Sequence, residues 1–170
     1  TAERDQRMPY DPEMSKKLLA DAGYPDGFSV TLDCPNDRYI NDEAICVAAI
    51  GMFAKIGVTV NLDAKTKSQH FSEVKEGDAN GMTSDMYMLG WGVPTFDSHY
   101  VYSYLFDSAG SWNKVNFSNA RVDELVAAMG VETDLDKRNA MIAEAWDITQ
   151  DDVTYLPLHH QVVNQASKSN

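Results

Sequence analysis

The side chains best equipped for chemistry are His70, His99, His159 and His160, together with Cys34 and Cys46. None of them has a reactive spacing. A helical zinc pair places two histidines four residues apart, and neither His70 nor His99 has such a partner. His159 and His160 are adjacent on a segment that reads as a strand, so they point to opposite faces and share no metal. The cysteines lack ligand spacing to either group, and no nucleophile elbow, phosphate loop or calcium loop is present. Asp151 and Asp152 close a helix and read as solvated charge, and Asn116, Phe117, Ser118 forms a glycosylation triplet of a kind common by chance. No catalytic residue, metal site or cofactor is therefore expected. Two loops instead carry groups suited to binding: one holds Arg38 and Tyr39, the other Trp91, Phe96, Asp97 and His99. Arg38 has the planar fork that pairs with carboxylates, and the aromatics offer stacking surface. Each has a plainer alternative: solvation for Arg38, core packing for Trp91, and a helix N-cap for Asp97.

Positioning these loops requires a layered domain. Asp11, Pro12 and Gly23 bracket a short amphipathic helix over 11–22, with Met14, Leu18, Leu19 and Ala22 at helical spacing. Residues 28–32 alternate as a strand, and 42–56 reads as a helix with Ile45, Ala48, Ala49, Met52, Phe53 and Ile56 on one stripe before Gly57. A second strand over 58–62 completes a β-α-β unit spanning 28–62, which implies parallel pairing. A short helix over 68–76 leads through a Gly/Asp/Asn stretch to a third strand at 85–89, ending at Gly90, Trp91, Gly92. Residues 97–106 read as a weakly patterned helix containing Tyr100, Tyr102, Tyr104 and Phe106. Val122, Leu125, Val126 and Met129 define a helix over 118–129. A longer one over 134–151 turns Met141, Ile142, Ala145, Trp146, Thr149 and Val153 inward. Residues 155–163 read as a strand that Pro157 confines to an edge. The whole is a single α/β lobe over 1–170, with 1–27 as its lead-in helix and turn. In such sheets ligands bind beyond the carboxyl ends of the strands, where both loops lie.

Composition narrows the class. The 170 residues carry 26 acidic against 14 basic side chains, a formal charge of -12, which excludes a basic nucleic-acid or anionic-membrane binder. With 44% hydrophobic residues the chain is a folded domain, and no apolar run is long enough to enter a bilayer. The start at Thr1 is expected to follow a removed leader or a larger N-terminal part. Cys34 and Cys46 are compatible with either a short-loop bridge or two buried thiols.

Tyr10, Asp11 and Pro12, followed by Leu18, Leu19, Ala20, Asp21, Ala22, Gly23, Tyr24, Pro25, Asp26, Gly27 and Phe28, resemble a signature of the peptide- and nickel-type extracellular solute-binding proteins, family 5. Later motifs agree in order: Ala54 to Val58, Gly90 and Trp91, Ser118 and Asn119 before Val122, Asp123 and Leu125, Thr133 and Asp134 with Lys137 and Arg138, and Tyr155 to Leu158. The resemblance covers nearly the whole chain. It implies most of the C-terminal lobe of a bilobed, type II periplasmic-binding-protein-like receptor with a largely parallel mixed sheet. Such a receptor is monomeric and periplasmic or lipid-anchored; it closes around a peptide or similar small solute and delivers it to an ABC permease. Family members span peptides, nickel chelates, glutathione, haem and sugar-like solutes. The position three beyond Trp91, acidic in peptide-binding relatives, is Pro94 here; Asp97 matches a second acidic position, and Arg38 lies near the Arg that pairs with a dipeptide carboxylate. The oxidising compartment that the resemblance implies favours a Cys34–Cys46 bridge. An enzyme domain with an unrecognised site, or an interaction module that holds no solute, are the competing readings.

Overall fold

The computed structural model describes residues 9–76, 84–162, 166 and 167. Asp11 opens α1 (Pro12–Asp21) by accepting the Met14 N–H at 2.8 Å, and the chain leaves it through Gly23 in a left-handed conformation. Then follow β1 (Phe28–Pro35), α2 (Asp42–Phe53, prolonged by a 3-10 turn, Ala54–Ile56), β2 (Val58–Lys65) and α3 (Lys67–Glu76). The Gly/Asp/Asn stretch expected after α3 lies outside the described residues. β3 (Met86–Tyr87), α4 (Ser98–Val101, continuing as a π turn, Tyr102–Phe106), α5 (Ala120–Met129) and α6 (Leu135–Asp152) complete the order.

The strands form one parallel sheet in the order β2-β1-β3. β1 and β2 pair along their full lengths, from Phe28 opposite Val58 to Pro35 opposite Lys65. Their starts approach through Gly27 and Gly57, where a Cβ on Gly27 would lie 1.8 Å from the Gly57 carbonyl oxygen. β3 is shorter than the expected 85–89, because the Asp85 carboxylate accepts the Thr31 N–H at 2.7 Å in place of a ladder bond.

Three readings of the elements are corrected. Residues 155–162 form no strand; Pro157 lacks an N–H for a ladder, and Tyr155 instead packs edge-on against Phe106 and meets the Tyr87 hydroxyl at 3.2 Å. Val163 lies outside the described residues. On α2 and its 3-10 turn Asp42 and Cys46 are buried and Ile45, Ala49, Ile50, Phe53 and Ile56 half-buried, while Ala48 and Met52, expected on the inner stripe, face out. On α6, Ala145 and Thr149 are buried, but Trp146 sits at the rim, and Val153 leaves the helical stripe by adopting a left-handed C-cap with φ 57°.

The core has two parts. Leu32, Cys34, Cys46, Val58 and Val60 pack between the sheet and α2; Tyr102, Phe117, Val122, Leu125, Val126, Met129 and Ala145 join the π turn to α5 and α6. No helix among the described residues is long and apolar enough to cross a membrane.

Candidate functional site

The loop after β1 is built around one buried carboxylate. Asp42, at the start of α2, accepts the backbone N–H groups of Arg38, Tyr39 and Glu43, each at 2.9 Å. Burial raises its pKa, but these N–H groups outweigh burial and hold it below the ordinary value. Cys34 at the end of β1 and Cys46 on α2 form a disulfide that closes the same segment from both sides. The Arg38 and Tyr39 backbones are thus fixed while their side chains stay available.

That loop meets the one after β3. The Tyr39 ring lies on Gly90, where a Cβ would come 2.5 Å from Tyr39 Cε1, and its hydroxyl donates to the Gly90 carbonyl at 3.4 Å. The Arg38 guanidinium is exposed and sits 4.9 Å over the Tyr39 ring, with no salt bridge among the described residues. Beyond Gly90, Trp91 enters an aromatic cluster, 6.0 Å from Tyr100, 5.9 Å from Tyr104 and 5.8 Å from Trp112 between ring centres. Trp91 Nε1 is buried with no hydrogen-bond partner among the described residues.

The rest of the second loop is differently employed. Phe96 is 96% exposed and takes a positive φ of 53°. Asp97 caps α4 by accepting the His99 N–H at 2.8 Å, and both its oxygens receive Arg138 of α6 at 2.8 Å. Arg138 holds the Asp97 carboxyl below its usual range, and Arg138 Nε also donates to the Met129 carbonyl. The His99 ring packs near Gly130. The structure therefore joins the Arg38–Tyr39 loop to the one that carries Trp91 through the Tyr39–Gly90 contact, and places Asp97 in a tie between the second loop and α6.

Sequence reasoning missed the aromatic partners of Trp91. Tyr100 and Tyr104 are four residues apart, as are Tyr102 and Phe106, so on a helix the aromatic run divides into two faces. The first pair serves the loops and the second the core. It also missed a buried network: His70 Nδ1 lies 2.7 Å from Asp33, and Lys65 reaches Asp33 at 3.3 Å, Asp63 at 2.7 Å and Glu73. His70 and Asp33 stand 37 positions apart, beyond any local spacing rule. Burial lowers the Lys65 pKa, yet its three carboxylate partners raise it overall. Among the described residues no cluster of His, Cys, Asp and Glu is placed to hold a metal.

The model of the bacterial extracellular solute-binding proteins, family 5 Middle, matches residues 1–113, about two thirds of the chain. The chain belongs to family 5. Its family 5 relatives include the glutathione-binding protein GsiB of Salmonella typhimurium, 29% identical over 173 residues that take in 99% of this chain and 34% of the relative. The Escherichia coli K12 GsiB is 26% identical over 95% of this chain and 32% of its own length. This family 5 chain thus spans about a third of the curated relatives it matches. Among solved structures, the dipeptide binding protein from Pseudoalteromonas sp. SM9913, in complex with Met-Leu, matches with a TM-score of 0.75 at 25% identity over 86% of this chain and 29% of that one. The DppA protein of Helicobacter pylori, in complex with the peptide STSA, matches with a TM-score of 0.75 at 24% identity, over 90% and 29% of the two chains. The fold is accordingly that of a type II periplasmic binding protein, with the parallel sheet described above.

Proposed function

We propose that residues 1–170 form one lobe of a two-lobed, extracytoplasmic receptor that closes on a peptide or similar small solute and presents it to an ABC permease. The observation that carries this reading is the joining of the Arg38, Tyr39 and Trp91 loops beyond the carboxyl ends of parallel strands. Family 5 membership and the peptide-bound structural neighbours support the same reading.

In this reading Arg38 receives a carboxylate of the solute as a bidentate partner, Tyr39 flanks it, and the Trp91 cluster covers its apolar part. Asp97 holds the loop through Arg138, His99 flanks it, and Phe96 reaches outward toward the second lobe. The lobe binds without catalysing, works as a monomer, and relies on closure for affinity, since contacts to both lobes stabilise the closed form. The test is calorimetry and small-angle scattering on the protein carrying both lobes. Met-Leu or another dipeptide from a panel binds and lowers the radius of gyration, and Trp91→Ala costs about 2 kcal/mol, roughly 30-fold in Kd. Solute binding that is indifferent to both Arg38→Ala and Trp91→Ala overturns the assignment of this surface.

A further inference from the structure

Over positions 44–54, in α2 and the start of its 3-10 turn, every residue is apolar. The inner side packs on the sheet through Cys46, Ile50 and Phe53, while the outer side shows Ala44, Val47, Ala48, Gly51 and Met52, with Val47 52% and Met52 61% exposed. A helix on the surface of a domain turns polar side chains outward, whereas one that is apolar all round is covered on both sides. Among the described residues nothing covers this outer side. Gly51 stands near its centre. Glycine is, after proline, the residue that least favours a helix interior, and no neighbour in the chain requires it here, since a Cβ would meet nothing within 4 Å. Such a gap in an exposed helix face suits the close approach of a second helix.

The ends of the face indicate which helix that is. Glu43 is exposed at its start and Lys55 at its finish, and no charged residue lies between them. When two copies of α2 pack antiparallel about a two-fold axis level with Ala49, Glu43 of each copy faces Lys55 of the other. The same register sets Val47 of each copy opposite Gly51 of the other. One axis thus matches opposite charges at both ends and a protruding side chain with the gap that receives it. Tyr10, whose hydroxyl accepts from Lys55 Nζ at 3.4 Å, and Met14 and Leu18 on α1 are exposed beside the Lys55 end and widen the apolar surface.

We propose that this face binds a second copy of the chain, giving a reversible two-fold dimer of the receptor. This goes beyond the receptor reading, in which one copy suffices to hold a solute. The face contains none of Arg38, Tyr39 and Trp91, so each copy keeps its own binding surface and takes its solute singly. The chain's formal charge of -12 opposes association at long range, but at physiological salt such repulsion is screened beyond about 8 Å. One helix face with its flank is smaller than the interface of a permanent dimer, so the pairing is weak.

The experiment is sedimentation equilibrium of the protein with both lobes, over about 5–500 µM at about 0.15 M salt. A monomer–dimer equilibrium with Kd on the order of 100 µM is expected. Gly51→Leu fills the gap and is expected to weaken pairing at least about tenfold without lowering the melting temperature, because the position has room for a side chain and leucine favours a helix. Glu43→Lys and Lys55→Glu are each expected to stay monomeric, while an equimolar mixture of the two associates as the parent does, since every charged contact of the mixed dimer then joins opposite signs. Dimers that survive Gly51→Leu, or a mixture no more associated than its components, overturn the proposal. So does a two-lobed protein that stays monomeric across the range, or one whose melting temperature Gly51→Leu lowers by several degrees, the sign that another part of its own chain covers the face. Gly51→Leu is expected to leave solute binding unchanged, so failure of the dimer leaves the receptor reading standing.

Discussion

Lys65 ties the end of β1 to its neighbours through a cluster of carboxylates. Its side chain is only 9% exposed and its ammonium faces Asp33, Asp63 and Glu73, with Asp33 itself buried against His70. Replacing it with an apolar chain of similar length strands a buried carboxylate, the costly half of a broken ion pair. Lys65→Met is expected to lower unfolding free energy by about 3 kcal/mol in urea titration. Asp42 gives a second residue-scale expectation, because its pKa lies below the ordinary 3.8 when folded. A carboxyl more acidic in the folded state contributes stability that is complete above its unfolded pKa and disappears as pH falls through its folded pKa. Asp42→Asn is therefore expected to cost about 1–2 kcal/mol at pH 7, and the gap from the parent protein should close as pH falls below the ordinary 3.8. A gap that stays constant as pH falls would mean that the Asp42 charge is not what orders the Arg38 loop. Asp97, which Arg138 holds acidic, adds to the same acid limb, with solvent screening its share because its side chain is more than a third exposed.

Elements show where local pattern suffices and where it does not. Val153 ends α6 at φ 57°, a conformation that a β-branched residue enters only under strain, and it is 54% exposed, so it has little packing to lose. Val153→Asn is expected to raise the melting temperature by a few degrees, a gain of about 1 kcal/mol, checked by calorimetric scanning. Gly27→Ala is expected to do the reverse, since its Cβ would collide with the Gly57 carbonyl where β1 and β2 begin. Such a residue leaves a sequence signature, a glycine at a turn, without revealing what approaches it. The α5 stripe of Val122, Leu125, Val126 and Met129 was fully legible because one helix face meets one core, and all four are buried. α2 was misread by a fraction of a turn because its sequence is apolar nearly all round; the disulfide at Cys46 and the buried Asp42 fix its rotation. The alternating aromatics from Tyr100 to Phe106 read as weak pattern because one helical segment there serves two faces, the Trp91 cluster and the core around Phe117. Arg38 and Trp91 were legible as candidates from their loops, but their joining through Tyr39 and Gly90 is a contact across 51 positions that no spacing rule supplies.

At the scale of the molecule, the binding surface proposed above is one wall. Arg38 and Tyr39 stand on the sheet half of the core and Trp91 leads into the helical half, with Asp97 and Arg138 tying the second loop to α6. A small solute gains affinity by being enclosed, with most of its surface buried, and a wall open on the far side covers only part of it. One charge-assisted pair and one aromatic contact supply a few kcal/mol, while association itself costs several kcal/mol in lost freedom of motion. Binding to this lobe alone should therefore be weak, with the missing affinity recovered when a second lobe closes over the same solute. The expected outcome is that residues 1–170 alone bind the best dipeptide of the panel at least about a hundredfold more weakly than the two-lobed protein, a difference of roughly 2.7 kcal/mol by calorimetry. Equal affinity for both proteins would place the whole site on this lobe and remove closure from the mechanism.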